Sequence, residues 1–329
     1  MPAISIIIPV YNAADTIFRC VETVRIQSFD DWELLIVDDG SKDNSLEVCQ
    51  QLQSLDSRIK LYSQLHGGVS SARNFALSHA SGEYICFIDA DDIVESNYLE
   101  QLYNYKMYDM VVCGYYVDKQ LDDGTLYKQE LHIPDILSIH QIVDRKQLLP
   151  LFMQGMIHVN CNKLLRRNII IENQIVYKDV PVNEDYFFML EYLAHSQSVI
   201  FIDIPLYHWV RVEGRLSGVS VMPDNLLGIY NQAQLKTREF FSDNNLADIT
   251  QYYSYCFLIQ KFFNSWEHKE LTYEELNRKL ISFHQNELVK CSFRAYNPRS
   301  LGEWFMYWLL KRGWFHIHHV IYKLLSHMN

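Results

Sequence analysis

Residues 84–92 read YICFIDADD, five apolar or aromatic residues followed directly by three carboxylates within four positions. A continuous apolar run of this length predicts a strand that is buried on both faces, as in parallel sheets. Because open α/β sheets bind ligands outside the carboxyl ends of their strands, Asp89, Asp91 and Asp92 are expected at a ligand crevice. Neighbouring carboxylates repel one another, and Mg²⁺ or Mn²⁺ relieves that repulsion while keeping positions for phosphate oxygens. The stretch predicts a metal–diphosphate site, with an acidic helix start as the alternative.

Strand-like and helix-like patterns alternate through the first hundred residues. Apolar, β-branched runs occupy residues 4–10, 32–37 and 59–62, and residues with helical spacing follow each of them. This alternation predicts right-handed crossovers and a Rossmann-like α/β fold, in which a mostly parallel sheet has helices on both faces. Acids also follow the second strand, at Asp38 and Asp39. The glycine-rich fingerprints of dinucleotide-binding and P-loop proteins do not occur in the sequence, so side chains are expected to hold any nucleotide.

Composition restricts the class of protein. The chain has 329 residues, of which 49% are hydrophobic and 21% charged, as expected for a folded globular protein with ample core. The net charge of -11 argues against broad binding to nucleic acid. Seven cysteines without C-x-x-C spacing predict reduced thiols. The sequence shows neither a signal-peptide pattern nor a bilayer-spanning apolar run, so we expect a cytoplasmic location, with a peripheral position on the inner face of the cell membrane as an option.

Four short motifs together resemble the family 2 glycosyltransferases, whose fold is called GT-A. They are IIIPVYN at residues 6–12, VDDGS at 37–41, GGVSSARN at 67–74 and DADD at 89–92. The resemblance implies transfer of a sugar from a nucleotide diphosphate donor, usually with inversion, using Mn²⁺ or Mg²⁺ held at the Asp-x-Asp motif. Two further matches place the GT-A catalytic domain at residues 1–220, and helical patterns predict an α-helical region at residues 221–329.

The same resemblance assigns residues to the donor. Its donor-binding set within the first hundred residues is Pro9, Tyr11, Asn12, Asp39, Arg73, Asp89 and Ala90. Asp39 would accept a hydrogen bond from uracil or ribose, and Asp89 would contact both ribose and metal. Asp91 is implied as the main protein ligand of the metal. Two alternatives stay open: Arg73 as a solvated or ion-paired surface residue, and Asp92 as no more than a cap of the following helix.

An acidic pair further along the chain is the candidate catalytic centre. Glu184 and Asp185 resemble the family's acidic pair ahead of an aromatic helix, and Asn183 stands where the family often has glycine. An acceptor hydroxyl that attacks the anomeric carbon must lose its proton, and Asp185 is implied as the base that takes it. Glu184 would orient that base or the acceptor, and Lys163 resembles a lysine beneath the acceptor site. The alternatives are a charged first helical turn for the acidic pair and a solvated helix-start lysine for Lys163.

A basic segment later in the chain is the candidate anion clamp. Residues 207–218, YHWVRVEGRLSG, resemble the family's mobile lid, whose basic residues meet the diphosphate and whose closure excludes water. Arg211 and Arg215 fit that role in an otherwise acidic protein. For His208, a packed and hydrogen-bonded role and a metal or phosphate role both stay open.

Past residue 223 the sequence predicts amphipathic helices at residues 226–241, 249–263 and 271–288. The last segment, residues 301–325, interleaves aromatic residues with lysine, arginine and histidine. Such a helix suits a membrane surface, a homo-oligomer interface or packing on the helical region, and these three interpretations stay open.

Together these features predict an inverting, metal-dependent glycosyltransferase. Its donor is expected to be a UDP-sugar and its acceptor a hydroxyl of a glycan, glycolipid or glycoprotein. One alternative is a non-catalytic partner subunit that binds nucleotide sugar. Another is a nucleotidyltransferase, which would need a glycine-rich, basic loop after the first strand, where this chain has YNAAD at residues 11–15.

Overall fold

The computed structural model describes residues 1–120, 126–132, 138–153, 156–157, 159–212, 224–267, 269–298 and 300–326. They divide into two compact units. An α/β unit contains the described residues within Met1–Gln147, Gln154–Val180 and Glu184–Ser217. A helical unit contains those within Leu148–Met153, Pro181–Asn183 and Gly218–Asn329.

Ten strands in the described residues form one sheet. They are β1 (Ile4–Val10), β2 (Trp32–Asp38), β3 (Ile59–Ser63), β4 (Tyr84–Phe87), β5 (Ile93–Val94), β6 (Met110–Gln120), β7 (Leu126–His132), β8 (Ser138–Ile139), β9 (Lys163–Arg166) and β10 (Val199–Val212). Their order is β3-β2-β1-β4-β9-β6-β10-β5, with β7 paired to β6 and β8 paired to β10.

Helices lie between these strands and make up most of the described residues after β10. Those of the α/β unit are α1 (Ile17–Arg25), α2 (Ser45–Leu55), α3 (Val69–His79), α4 (Tyr98–Tyr103), α6 (Arg167–Glu172) and α7 (Glu184–His195). Those of the helical unit are α5 (Leu149–Met153), α8 (Leu226–Phe241), α9 (Asn244–Glu267), α10 (Tyr273–Gln285), α11 (Glu287–Ala295), α12 (Leu301–Lys311) and α13 (Phe315–Ser326). A 3₁₀ turn, Arg145–Leu148, precedes α5.

The sheet has a parallel half and a mixed half. Strands β3, β2, β1 and β4 are parallel, as the alternating sequence pattern predicts. Beyond them β9 is antiparallel to both β4 and β6, while β10 is parallel to β6. The predicted α/β fold with a helical carboxyl-terminal region is therefore confirmed, with a sheet that is mixed in its second half.

The core follows from the sequence patterns of strands and helices. Every residue of β2 is buried, and β1 is buried except at its half-buried Pro9, because helices or loops cover both faces of these strands. On α1 the buried residues Ile17, Cys20, Val21 and Val24 recur at helical spacing and face the sheet. The seven cysteines are free thiols, in agreement with the sequence prediction.

The sequence DDG at residues 122–124, between two strand-like runs, predicts a hairpin turn. Strands β6 and β7 form a hairpin here, pairing antiparallel from Tyr115 opposite His132 to Gln120 opposite Leu126, and the turn itself lies outside the described residues.

In the helical unit, α8 has the predicted bounds, whereas two predicted segments are each divided into two helices. The segment 271–288 is interrupted at Asn286, whose Oδ1 accepts the N–H groups of Leu288 and Val289 and so caps α11. The segment 301–325 is interrupted at Gly313, whose φ of 74° terminates the α12 region in the left-handed conformation that glycine adopts without strain. None of the helices in the described part of the chain combines the length and the apolar content needed to cross a bilayer.

Candidate active site

The strand ends that carry the predicted residues lie at one edge of the sheet. Strand order runs from β1 through β2 to β3 on one side, and β4 lies on the other side of β1. A reversal of this kind opens a crevice outside the carboxyl ends of the parallel strands. Tyr11 follows β1, Asp39 follows β2 and Asp89 comes after β4, so all three are at that edge.

Asn12 ties the loops after β1 and β2 together. Its φ of 50° is in the left-handed region, which Asn tolerates better than most residues. The Asn12 N–H donates to Ser41 Oγ at 3.0 Å, and Asn12 Oδ1 accepts the N–H of Lys42 at 2.8 Å. Asn12 therefore fixes the geometry of the crevice wall through its backbone and its side chain together.

Two rings form a flat platform beside Asn12. The exposed ring of Tyr11 stacks on His66, with centroids 4.2 Å apart and an angle of 22° between the ring planes. Pro9 is half-buried in β1, opposite Val37 of β2. A planar aromatic surface of this kind can stack on another flat ring. The sequence motifs did not single out His66 as a partner of Tyr11.

Asp39 is saturated by donors from its own chain. Its Oδ1 accepts Gln64 Nε2 at 2.6 Å and the N–H of Gly67 at 2.9 Å, and its Oδ2 accepts the N–H of Gly68 at 2.8 Å. His66 Nδ1 lies 2.8 Å from the same Oδ2. Gly68 has a φ of 87°, which requires glycine, so the carboxylate stabilises a turn that only this residue type forms easily. In this structure Asp39 holds the start of α3, and its expected contact with a nucleoside stays a prediction.

Arg73, on α3, is the centre of the candidate site. Its side chain is 4% exposed, so a solvated surface position is wrong, whereas the ion pairing that the same alternative contained is present. Its Nη1 donates to Asp185 Oδ1 at 2.7 Å and to Glu184 Oε1 at 3.2 Å, and its Nη2 donates to Asp89 Oδ1 at 2.9 Å. The guanidinium carbon also lies 5.2 Å from the ring centroid of Tyr177. One buried guanidinium thus joins the strand-end aspartate to an acidic pair that follows Arg73 by 111 and 112 residues.

The Arg73 cluster has an excess of negative charge. Three carboxylates, those of Asp89, Glu184 and Asp185, share this one guanidinium. Burial raises the pKa of Asp185 to about 7, and the charges of Glu184 and Asp89 add to that increase against the opposing effects of Arg73 and Lys163. Asp185 therefore changes its protonation state near neutral pH.

The first turn of α7 positions the acidic pair. Glu184 and Asp185 are the first two residues of this helix, where the helix dipole stabilises negative charge. Asn183 precedes them with a φ of 64°, the left-handed conformation that glycine would also adopt. Further along α7 the ring of Phe188 stacks on Tyr177 at 4.1 Å, which secures the helix next to the ring that underlies Arg73.

Lys163 is the first residue of β9 and is fully buried, so the alternative of a solvated helix-start lysine is wrong. Its Nζ donates to Asn162 Oδ1 at 2.9 Å and to the carbonyl oxygen of Cys161 at 3.2 Å. Burial lowers the pKa of Lys163 to about 8, against smaller raising effects of Cys161, Cys113 and Asp185. The lysine acts on the acidic pair through electrostatics, because its ammonium group lowers the pKa of Asp185.

Asp89 and Asp91 offer carboxylates at the open end of β4. The side chain of Asp89 is 40% exposed, Asp91 is exposed, and Ala90 between them is buried. Among the residues that the structure describes, no group of three or more His, Cys, Asp or Glu side chains forms a closed metal site. Mg²⁺ and Mn²⁺ are commonly held by one or two carboxylates together with water and phosphate oxygens, so this open pair fits such a cation. The local charge also favours a cation. Burial raises the pKa of neighbouring Asp92, and the negative charges of Asp91 and Asp89 raise it further.

Asp92 is buried and connects the end of β4 to β10. It is 1% exposed, and its Oδ2 accepts the hydroxyl of Tyr207 at 2.5 Å while its Oδ1 accepts the N–H of Val210 at 2.9 Å. The Tyr207 hydroxyl also accepts the N–H of Asp89 at 3.3 Å. Helix α4 begins at Tyr98 after Asn97, so the interpretation of Asp92 as its cap is wrong. The motif at residues 207–218 included Tyr207, but no local signal identified its partners, which precede it by 115 and 118 residues.

The remaining predicted residues lie on and after β10. His208 is buried, with Nδ1 at 2.7 Å from Asp118 Oδ2 and Nε2 at 3.0 Å from Glu95 Oε1, so the packed and hydrogen-bonded role describes it. Arg211 is exposed, and its guanidinium carbon lies 4.3 Å from the Trp209 ring centroid. Arg215 lies outside the described residues.

Known proteins of similar sequence are glycosyltransferases. The chain is 29% identical to the cholesterol galactosyltransferase of Borreliella burgdorferi over 307 residues, which cover 85% of this chain and 81% of that protein. It is 31% identical to the putative glycosyltransferase EpsH of Bacillus subtilis over 214 residues, which cover 63% of this chain and 60% of that protein.

Among solved structures, S. aureus TarS 1–349 in complex with UDP-GlcNAc has the same fold. The TM-score is 0.66 at 16% identity, and the match covers 99% of this chain and 92% of the TarS chain. The sequence profile of glycosyl transferase family 2 matches residues 5–173, a span that contains the crevice loops, Arg73 and the carboxylates after β4. The chain is therefore a glycosyltransferase and belongs to glycosyl transferase family 2.

Proposed function

We propose that this enzyme transfers a sugar with inversion from a UDP-sugar to an acceptor hydroxyl, and that Asp185 is the catalytic base. The observation that carries the proposal is the Arg73 cluster. Asp185 and Asp89 lie on opposite branches of one guanidinium, at 2.7 Å and 2.9 Å. A base and a donor-binding carboxylate that share one rigid anchor would keep a fixed separation, as a single displacement at one carbon requires.

The chemistry of the step follows from that arrangement. The acceptor oxygen attacks the anomeric carbon of the donor sugar while the bond from that carbon to the diphosphate oxygen breaks. The hydroxyl proton passes to the Asp185 carboxylate, and the nucleotide diphosphate leaves with the bonding electrons. A carboxylate with a pKa of about 7 is a stronger base than an ordinary aspartate and is still ionised just above neutral pH. Glu184, on the same guanidinium, would orient Asp185 or the acceptor.

Asp91 and Asp89 would hold Mn²⁺ or Mg²⁺, with Asp91 as the main ligand. When bound, the cation would neutralise the charge that develops on the diphosphate. Arg211 and Arg215 are proposed as further partners of that charge. The excess of carboxylates over guanidinium groups at the Arg73 cluster supports a cation site, because the unbalanced negative charge would otherwise repel the diphosphate.

The nucleoside would lie against the Tyr11–His66 platform, with Pro9, Asn12, Asp39 and the backbone at Ala90 around it. UDP as the nucleotide is supported by the motif resemblance, and TarS, which has the same fold, is described with UDP-GlcNAc.

The acceptor is proposed to be a hydroxyl of a glycan, glycolipid or glycoprotein. The name of the Borreliella burgdorferi relative states a sterol acceptor, which favours a lipid-linked hydroxyl within that class. Buried Lys163 would act here only through the pKa of Asp185.

A panel of UDP-Glc, UDP-Gal, UDP-GlcNAc, UDP-GalNAc, GDP-Man and dTDP-Glc tests this proposal through release of free nucleotide. We expect release from one UDP-sugar, abolished by EDTA, restored by Mn²⁺ and reduced at least about 100-fold in Asp91→Asn. Exposed Asp179→Asn is the matched control and should keep full release. Release that is unaffected by EDTA would contradict the metal, and release only from GDP-Man or dTDP-Glc would contradict UDP.

A further inference from the structure

Helices α12 and α13 form a hairpin whose exposed face is apolar. On α12, Leu301, Trp304 and Phe305 are exposed, at one helical face. After the turn, Trp314, Ile317 and Val320 are exposed at spacings of three residues. The two helices are linked across this face, since the rings of half-buried Trp308 and exposed Trp314 meet edge to face with centroids 5.0 Å apart. Exposed apolar residues grouped in this way are typical of an interaction site.

The other face of the hairpin is packed on the helical unit. Tyr307, Leu310 and Phe315 are buried, and the Tyr307 hydroxyl donates to the carbonyl oxygen of Phe293 at 2.6 Å. His319 stacks on Phe263 with ring centroids 4.2 Å apart. The hairpin is therefore held in place by one set of side chains, and packing on the helical unit does not account for the exposed set.

The charge of this segment differs from that of the whole chain. Residues 301–326 contain one acid, Glu303, and three basic residues, Lys311, Arg312 and Lys323, in a chain of net charge -11. Lys311 and Arg312 are exposed at the turn between the helices, and the Arg312 guanidinium carbon lies 5.7 Å from the Trp308 ring centroid. Tryptophan beside lysine and arginine is typical of protein surfaces at the headgroup level of bilayers.

A second copy of the chain fits this face poorly. In a two-fold dimer the same patch would lie opposite itself, so two surfaces with the same excess of basic over acidic residues would face each other. An anionic surface has the complementary charge and is attracted by each of these residues.

We propose that the exposed face of the α12–α13 hairpin docks on the surface of a bilayer that contains anionic lipid. The apolar side chains enter the boundary between headgroups and acyl chains, and Lys311 and Arg312 contact lipid phosphates. The helices lie in the plane of the interface.

Co-sedimentation of the full chain with vesicles tests the proposal. The vesicles are phosphatidylcholine alone, or phosphatidylcholine with 30% phosphatidylglycerol, at about 0.1 M salt, where charge attraction acts over about 10 Å. We expect binding to the anionic vesicles, weaker binding in 0.5 M salt and a loss of at least about tenfold in Trp304→Ser/Trp314→Ser. Lys311→Gln should weaken binding about fivefold. Phe257→Ser removes an equally exposed ring from α9 and is the matched control, which should bind like wild type.

Four results would overturn the proposal. The first is no binding of the wild type to anionic vesicles, and the second is equal binding of the wild type and the double tryptophan variant. The third is a wild type that forms a dimer in light scattering and does not bind vesicles, with the dimer lost in the double tryptophan variant. Circular dichroism of each variant excludes unfolding as the cause of lost binding. Wild-type binding that is equal on neutral and anionic vesicles would also overturn it, because the role of Lys311 and Arg312 would then be absent.

Discussion

Helix α3 carries two polar sites with opposite ratios of acids to donors. At its start, the single carboxylate of Asp39 is shared by several donors, among them the N–H groups of Gly67 and Gly68. In its second turn, the single guanidinium of Arg73 is shared by three carboxylates. The Asp39 turn is a satisfied site, in which the negative charge is fully matched by the chain. The Arg73 cluster keeps uncompensated negative charge that a cation, a proton or an acceptor hydroxyl can use.

This difference in hydrogen-bond saturation separates acids that stabilise the fold from acids that are available for catalysis or ligand binding. A saturated carboxylate gains little from a ligand, because every new contact must replace an existing hydrogen bond. A carboxylate in an acid-rich cluster is raised in free energy by its neighbours, and a ligand that neutralises charge removes that cost. Substitutions at the Arg73 cluster should therefore change activity most, and those at the Asp39 turn should change stability.

The largest effect is expected for Asp185→Asn, which keeps the shape of the side chain and removes the base. We expect the transfer rate at pH 8 to fall about 10²- to 10⁴-fold, measured with the donor identified in the nucleotide-release panel and a competent acceptor. Glu191→Gln on the exposed side of α7 is the control and should retain the wild-type rate. A full transfer rate in folded Asp185→Asn that still binds UDP would remove Asp185 from the mechanism.

The pH dependence of the wild type sharpens the same assignment. Because the pKa of Asp185 is raised to about 7, the base is protonated and inactive below neutral pH, and kcat/KM should decline as pH falls through about 7.

The linked effect on stability has the opposite direction. The folded state binds this proton more tightly than the unfolded state, so the contribution of Asp185 to stability is present at low pH and is lost as pH rises toward 7. Thermal melting of Asp185→Asn at pH 8 should therefore show no decrease in Tm. A decrease would contradict the inference that the ionised Asp185 carboxylate destabilises the folded state.

The next effect is expected for Arg73→Met, which leaves three carboxylates without their guanidinium. Removing one partner of a buried ion pair costs about 3–5 kcal/mol, so the free energy of unfolding in urea should fall by that amount. Arg58→Met is the control, since Arg58 is partly exposed with Asp56 as its main partner and should cost about 1 kcal/mol or less. The double variant Arg73→Met/Asp185→Asn should recover part of the loss, whereas strict additivity would show that Arg73 and Asp185 are not coupled.

A smaller effect on stability is expected at the Asp39 turn. Asp39→Asn places an amide N–H opposite a backbone N–H and loses charge-assisted hydrogen bonds, which should lower the free energy of unfolding by about 1–3 kcal/mol. Exposed Asp179→Asn, the same substitution between α6 and α7, is the control and should change it by less than about 0.5 kcal/mol. Equal losses in urea denaturation would show that the hydrogen bonds to Asp39 do not stabilise the turn.

Sequence reasoning predicted what depends on short stretches of chain. The buried strands and the acids at their carboxyl ends are each dictated by a few consecutive residues, and the structure has both. The helix bounds Leu226–Phe241 follow from apolar spacing in the same way. Topology then brings the strand ends together without further information, because parallel strands end at one edge of a sheet.

The contacts that the sequence left open are made by residues far apart in the chain. Asp92 was ambiguous because its partners Tyr207 and Val210 follow it by 115 and 118 residues. Lys163 has the local pattern of a solvated residue, and only the antiparallel insertion of β9 between β4 and β6 buries it. The break at Gly313 was missed because the apolar pattern continues on both sides of it, and glycine inside such a pattern is an ambiguous signal.

The smallest effect is expected for Lys163, whose positive charge lowers the pKa of Asp185 in the Arg73 cluster. Lys163→Met removes the ammonium group that lowers the pKa of Asp185, so the decline of kcat/KM at low pH should move to higher pH while the rate at pH 9 is nearly unchanged. The pKa of Lys163 is itself lowered to about 8, so the unfolded state binds this proton more tightly and the cost of the buried charge disappears as pH rises from about 8 toward 10.5. The difference in free energy of unfolding between Lys163→Met and wild type should therefore favour the variant most below pH 8 and less at higher pH. Lys178→Met, exposed in the same unit, should leave both profiles in place. A pH profile that does not move would show that Lys163 supports β9 only and has no influence on the base.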